Sequence, residues 1–203
     1  FDNCAPVKFY SYHIELDAMV LARKEPAGYP ELSFLGFDVL ELLADIQVEM
    51  GLTSAEPATL SLQSIETLAC IYHGPGKAGG NIYLHSLFNR SDVPQPVIEH
   101  VLRHELLHLK IPARMIDGKR SHRPPEFWEA EAKLVPWKSA SWAWMYTAFW
   151  DALKVDRDKE CIWIKKNWKR LQRHPYPRWQ AILDDTKLIE GKEEEIKSLM
   201  QGI

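Results

Sequence analysis

The stretch VLRHELLHLKI, residues 101–111, places two histidines on either side of a Glu-Leu-Leu step inside an apolar run. It belongs to a longer helical segment in which Pro96 suits a first helical position and Pro112 ends the helix. Residues 98, 102, 106 and 109 are apolar and fall on one stripe of that helix. We therefore expect one face of the helix to pack in the core and another face to remain available for chemistry.

The second face carries His104, Glu105 and His108 in the order H-E-x-x-H. Two histidines four residues apart lie about one helical turn from each other, so both rings can reach a single ion. In this pattern the imidazoles bind Zn²⁺, and the carboxylate lies close enough to a zinc-activated water to take its proton. The sequence thus predicts a catalytic zinc site with His104 and His108 as ligands and Glu105 as the general base.

A catalytic zinc usually has three protein ligands and one open position. The metzincin spacing requires glycine at 111 and histidine at 114, but the chain has Ile111 and Arg114, which excludes that class. Further along, His122 precedes a new helix that begins with a Pro-Pro pair, and a rigid junction of this kind can aim a side chain at the metal helix. His122 is the predicted third ligand, with Glu126 and Glu129 as alternatives.

The flanking segments predict a mixed α+β fold. Residues 32–52 have apolar residues at helical spacing and end near Gly51, which predicts one long core helix. Residues 58–73 alternate and are rich in β-branched side chains, and a Gly-rich turn at 74–80 leads into NIYLH at 81–85. We expect a small, mostly antiparallel sheet, with 81–85 as the edge strand beside the active-site helix.

Over about residues 60–135, the order of these motifs resembles the SprT-like zinc metallopeptidases and their small relatives, the minigluzincins. The matching motifs are GNIYLH, the segment VIEHVLRHELLHL, and a histidine shortly before Glu-Phe-Trp. The resemblance implies a zincin-like fold, a hydrolase that cleaves peptide or protein substrates, and zinc held by His104, His108 and His122. It also implies that Phe127 and Trp128 pack behind the third ligand.

The composition of the chain indicates its domain organisation and the character of its C-terminal part. We expect a metallopeptidase domain at 1–136 and a Trp-rich helical extension at 137–203, whose residues 138–180 carry ten Lys and Arg against four Asp and Glu. Trp142, Met145, Phe149 and Ala152 share a helical face, which predicts packing; residues 161–171 are read as a further packing helix. Aromatic side chains among Lys165, Lys166, Lys169, Arg170 and Arg173 leave nucleic-acid binding as a less favoured alternative.

The overall charge and cysteine content favour a cytoplasmic protein. The formal net charge is -3, no apolar run of membrane-spanning length is present, and the first residues lack the pattern of a signal peptide. The three cysteines, Cys4, Cys70 and Cys161, are widely spaced and odd in number, as is typical of a reducing compartment.

A peptidase also needs a donor for the developing oxyanion. Five side chains are candidates for this role: Tyr83, His85, His100, Arg103 and Arg120. The alternative to an enzyme is a metal-containing interaction protein, in which the zinc fixes the fold or recognises a partner.

Overall fold

The computed structural model describes residues 35–52, 58–72, 79–156, 161–172 and 175–185. Several sequence predictions concern residues outside these ranges. They are the absence of a signal peptide at the N-terminus, the start of the first helix at residue 32, most of the Gly-rich turn at 74–80, and Arg173.

The described chain is a mixed α+β structure with six α-helices and three small sheets. The helices are α1 (Val39–Glu49), α2 (Gln95–Lys110), α3 (Pro125–Leu134), α4 (Lys138–Phe149), α5 (Trp168–Leu171) and α6 (Trp179–Asp184). The strands are β1 (Thr59–Gln63), β2 (Ala69–Tyr72), β3 (Asn81–His85), β4 (Arg114–Ile116), β5 (Lys119–Ser121), β6 (Leu153–Asp156) and β7 (Cys161–Ile164). The predicted α+β class is confirmed.

Helix α1 is shorter than predicted because a capping residue lies inside the predicted range. The Asp38 carboxylate accepts hydrogen bonds from the backbone N–H groups of Leu40 and Glu41, at 2.9 and 3.0 Å. An Asp in this role fixes the first turn, so the helix begins at Val39 although the apolar pattern extends upstream. The end near Gly51, whose φ is 66°, is as predicted.

The main sheet has the strand order β1-β3-β2 and is mixed, rather than mostly antiparallel as predicted. Strands β1 and β3 are parallel, whereas β2 and β3 are antiparallel. The prediction that residues 81–85 form an edge strand is wrong, because β3 lies between the other two strands. Among the described strands, β2 is the edge that lies beside α2.

A hairpin that the sequence analysis did not predict precedes the third predicted ligand. Strands β4 and β5 pair antiparallel around Asp117 and Gly118, whose φ angles are 49° and 74°. Positive φ at both central residues is typical of a type I′ turn, and Asp-Gly is a common sequence for it. The hairpin delivers the chain to His122 immediately after β5.

Helix α2 is buried on most of its surface. Ten of its sixteen residues are buried, including the predicted packing residues Ile98, Leu102 and Leu106, which are 0% exposed. The opposite face is also covered, since Glu105 and His108 are only 6% and 7% exposed. The predicted division into a packing face and an open face is therefore only half right: the second face borders a cavity inside the protein.

The segment after residue 137 contains less helix than predicted. Helix α4 forms as expected, and Met145, Phe149 and Ala152 are buried. Residues 161–164, however, form strand β7 in an antiparallel hairpin with β6, and the rest of the predicted helix at 161–171 contains only a single helical turn, α5. Ile162 and Ile164 alternate with Trp163, which is the two-residue period of a strand. Side chains from both sides of residue 136 share one core cluster.

No helix among the described residues is long and apolar enough to cross a bilayer.

The contact between α1 and α2 includes a clamp of three charged side chains. The Arg103 guanidinium, on α2, donates to both carboxylate oxygens of Glu49 on α1, at 3.0 and 2.6 Å, and to Glu99 at 2.8 Å. Its side chain is 7% exposed, so its aliphatic part also packs.

We expect Arg103→Ala to lower the free energy of unfolding by about 2 kcal/mol, because charge-assisted bonds and buried methylene groups are lost together. The matched control is Arg114→Ala, which removes the exposed ion pair between Arg114 and Glu126 and should cost at most about 1 kcal/mol. Urea denaturation of both variants measures the difference. Equal losses would contradict the proposed clamp.

Candidate functional site

His104 and His108 lie one turn apart on α2 with their rings close together. The ring centroids are 5.2 Å apart and the planes cross at 78°. Phe127, which is fully buried on α3, packs against both rings at centroid distances of 5.1 and 4.6 Å. The resemblance implied that Phe127 and Trp128 pack behind the third ligand. In the structure, Phe127 packs behind the first two predicted ligands, His104 and His108.

The two nitrogens of His104 have different partners. Nε2 accepts a hydrogen bond from Nε of Arg123 at 3.2 Å, and Nδ1 lies 2.5 Å from Oε1 of Glu131. Arginine can only donate, so Nε2 must carry the lone pair and Nδ1 the proton, which His104 donates to Glu131. Burial lowers the pKa of His104 to about 4, which agrees with a neutral ring.

Glu131, on α3, is the buried acid at the centre of this cluster, and the sequence analysis missed it. It is 1% exposed, and its carboxylate bonds His104, contacts Lys138 Nζ, and lies within 3.5 Å of His100 Nε2. Burial by itself would raise the pKa of Glu131, but the neighbouring His104, His100 and Lys138 outweigh it and hold the pKa below its ordinary value.

A sequence signal for Glu131 existed. It lies four residues after Phe127, so the two share a helical face, and they are the two buried residues of α3. Of the acids in α3, Glu131 is the one four residues from Phe127, and this spacing favours it over Glu126 and Glu129.

His108 has a polar atom without a partner. Its Nε2 is buried and makes no hydrogen bond within the described part of the chain. Burial, reinforced by His104, Arg123 and His122, lowers the pKa of His108 well below its ordinary value, so the ring is neutral. A buried, unpaired imidazole nitrogen is uncommon, and ion binding is one of its explanations.

Glu105 is buried beside the sheet edge. Its carboxylate accepts a hydrogen bond from the backbone N–H of Ile71 on β2. Burial raises the pKa of Glu105 to about 7, although the nearby Arg123 opposes the shift. The carboxylate is thus held by an edge strand and lines a cavity, as a general base requires.

The three candidates for the third ligand occupy different positions. His122 is half-buried and close enough to His108 to lower the pKa of that ring. Glu126 is turned toward the β4–β5 hairpin, where it bonds Arg114 at 2.7 Å, and Glu129 is exposed. In the described ranges, no group of three or more His, Cys, Asp or Glu side chains is arranged to hold a metal ion.

Two of the oxyanion candidates have structural roles elsewhere. His85 is 1% exposed, accepts from the Leu87 N–H at 2.9 Å and packs against Trp168. Arg103 belongs to the clamp with α1. The cation that acts on Glu105 is instead Arg123, which the sequence analysis did not consider.

A cavity of about 70 Å³ lies against this cluster. His104, Glu105 and Glu131 are among the residues that line it, and Cys70 contributes from β2. The apolar and aromatic part of the lining comes largely from the segment after residue 137; it includes Trp128, Trp142, Met145, Ile162 and Trp163.

Trp168, which lies among the lysines of the basic C-terminal segment, is buried in the protein. Trp168 is 8% exposed and packs edge-on against His85, with ring centroids 4.9 Å apart. Lys165 donates to the Asp151 carbonyl at 2.7 Å. The arrangement is that of a packed core with lysines around it, as the packing interpretation predicted.

No family model matches the chain, and no curated protein or solved structure is significantly similar to it.

We expect Glu131→Ala to destabilise the metal-free protein by about 3 kcal/mol, because His104 and Lys138 lose the charge they surround. Glu129→Ala, an exposed acid on the same helix, should change stability by less than about 0.5 kcal/mol. Chemical denaturation in the presence of a chelator compares them. If Glu131→Ala does not fold, Glu131→Gln, which keeps an acceptor for His104, should fold with an intermediate loss. Wild-type stability in Glu131→Ala would show that the cluster contributes nothing to the fold.

Proposed function

We propose that this protein is a zinc-dependent metallopeptidase of zincin-like architecture, a hydrolase that cleaves peptide bonds in peptide or protein substrates. The observation that carries the proposal is that the rings of His104 and His108 lie together on α2, while His104 and the buried carboxylate of Glu105 line a cavity beside a sheet edge. The motif resemblance to SprT-like peptidases and minigluzincins supports the same function.

The donor set is suited to a divalent cation. His108 offers an unpartnered Nε2, and the Glu131 bond fixes His104 in the tautomer that presents its Nε2 lone pair. Ligating histidines commonly donate their other ring N–H to a carboxylate in this way. The Arg123 guanidinium, itself a cation, occupies the His104 lone pair, so Arg123 must give up this bond when a metal binds there.

In the proposed site His104 and His108 would hold the ion, with His122 as the third ligand. Zinc bound there supplies a Lewis acid that polarises a carbonyl and makes water nucleophilic near neutral pH. Glu105 would take the proton of the attacking water and pass it to the leaving amine. Glu131 would keep the His104 ring in its binding orientation, and Phe127 would hold both rings by packing.

In this proposal the substrate binds along β2 rather than along residues 81–85, which were predicted to be the edge strand. Strand β2 is the edge of the main sheet among the described strands, and the Ile71 N–H already points to Glu105. An extended peptide pairing with β2 would bring its main chain past this carboxylate without requiring a specific side chain.

The proposal includes a reducing, cytoplasmic location. It rests on the odd number and wide spacing of the cysteines, of which Cys70 is a half-buried free thiol.

Glu105→Gln should lower peptide hydrolysis by about 10²- to 10⁴-fold while the bound zinc remains, because the variant keeps the ligands and loses only the proton acceptor. His108→Ala should lose the zinc as well as the activity. Hydrolysis of an unstructured protein substrate, with metal content measured on the same samples, gives both results.

The alternative is a metal-containing or nucleic-acid-associated interaction protein, for which the Glu105 carboxylate is dispensable. A zinc-loaded wild type that cuts no peptide, together with a Glu105→Gln variant that behaves identically, would exclude the peptidase.

The third ligand is tested separately by zinc stoichiometry and affinity. We expect His122→Ala to weaken zinc binding strongly, since a catalytic zinc uses three protein ligands. Glu126→Ala should leave it unchanged, because Glu126 is engaged with Arg114 on the hairpin. Loss of zinc in Glu126→Ala but not in His122→Ala would reverse the assignment.

A further inference from the structure

A cleft of about 580 Å³ lies outside the proposed peptidase centre and is larger than the cavity beside Glu105. It is bordered by the loop after β1, the β6–β7 hairpin and the start of α5. None of His104, Glu105, His108 and Glu131 lines it. Its volume lies within the usual range of small-molecule sites, and the proposed peptidase chemistry does not use it.

Three lysines line this cleft against a single acid. Lys154 and Lys166 are exposed, Lys165 is half-buried, and the acid is Glu66. None of the ion pairs in the described part of the chain involves these lysines. The lining therefore carries an excess of positive charge, which favours an anion.

Hydrogen bonds hold the lysine-bearing segment in place. Lys165 Nζ donates to the Asp151 carbonyl at 2.7 Å. The backbone N–H groups of Ile164 and Lys165 bond the carbonyls of Glu66 and Ala152, both at 2.8 Å. An ammonium group has three N–H donors, so Lys165 can keep its carbonyl bond and still bond an anion. A site whose charges are already positioned costs less to order when a ligand binds.

Aromatic rings form the other part of the lining. Trp163 of β7 is half-buried, whereas Trp168 and His85 are 8% and 1% exposed and lie at the inner end of the cleft. The rings of Trp168 and His85 pack edge-on, with centroids 4.9 Å apart. Rings held in this way suit contact with a flat aromatic group of a ligand.

We propose that this cleft binds a small anion in which a phosphate group is joined to a flat aromatic ring, the chemistry of a nucleoside phosphate. The lysines bind the phosphate oxygens as point charges, and the tryptophan and histidine rings contact the base. Ser64 and Glu66, which also line the cleft, supply oxygen acceptors for hydroxyl or amino groups of the ligand. The site is independent of the peptidase proposal, because it shares none of the proposed catalytic or metal-binding residues.

Size and chemistry together favour this ligand over simpler anions. A bare phosphate fills only a small part of 580 Å³ and leaves the rings of Trp163 and Trp168 without a contact. A carboxylate of an acidic peptide carries less charge for the three lysines than a phosphate does. A nucleoside phosphate uses both halves of the lining.

The ligand is tested by isothermal titration of the full chain with ADP, inorganic pyrophosphate and adenosine. We expect ADP to bind at one site per chain and at least about tenfold more tightly than either pyrophosphate or adenosine, because each of these offers only half of the contacts. Pyrophosphate that binds as tightly as ADP would overturn the role of the rings. Adenosine that binds as tightly as ADP would overturn the role of the lysines, and a failure of ADP to bind would overturn the site.

The location is tested by the double variant Lys154→Ala, Lys166→Ala. Both side chains are exposed, so the fold should be kept, and we expect ADP affinity to fall by about tenfold or more. The matched control is Lys133→Ala, Arg178→Ala, which removes two exposed cations that do not line the cleft and should leave ADP affinity unchanged. Equal losses in the two double variants would show a general charge effect and overturn the assignment.

Two competitors complete the test with the same variants. A single-stranded oligonucleotide that binds at least about tenfold more tightly than ADP, and loses affinity in Lys154→Ala, Lys166→Ala, would replace the small-ligand site by a nucleic-acid surface. An acidic peptide that displaces ADP at equal affinity would overturn the proposal, since charge would then suffice without a ring. Weaker binding of both competitors than of ADP supports it.

Discussion

The structure depends on a helix that is buried almost all round and still carries charged and polar side chains. Helix α2 buries His100, Arg103, Glu105 and His108 together with its apolar residues. A buried polar group is costly unless it finds a partner. Three elements packed on α2 supply one: Glu49 from α1, the Ile71 N–H from β2 and Glu131 from α3. The fold around α2 is arranged to meet this requirement.

Two ring nitrogens of α2 are exceptions to this pairing. Partners fix Arg103 and His104 on both sides, whereas Nδ1 of His100 and Nε2 of His108 are buried and have no hydrogen-bond partner in the described part of the chain. The Arg123 guanidinium bonds the neutral His104 ring and lies near the carboxylates of Glu105 and Glu131, which favour a cation at this position. The proposed zinc site would use the same preference.

Helix α3 makes two different contacts with the candidate site from a single face. Phe127 and Glu131 lie on one face, and one packs against the histidine rings while the other bonds His104. Helix α3 therefore fixes the position of both candidate ligands and the tautomer of His104. Because Lys138 of α4 contacts the Glu131 carboxylate, the segment after residue 137 contributes to the site as well as to the core.

The sequence by itself determined what depends on local chemistry. The helix around residues 101–111, its end at Pro112 and the closeness of His104 and His108 follow from helical spacing and proline geometry. The α+β class follows from the alternation of strand and helix patterns. Even the missed β4–β5 hairpin had a local signal, in Asp117 and Gly118.

Only the tertiary structure decided what depends on partners far apart in the chain. It made β2 rather than β3 the edge beside Glu105, and it paired the buried Glu131 with His104 and Lys138. Strand order and the pairing of a buried charge are set by what packs against each surface, and spacing along the chain does not encode that.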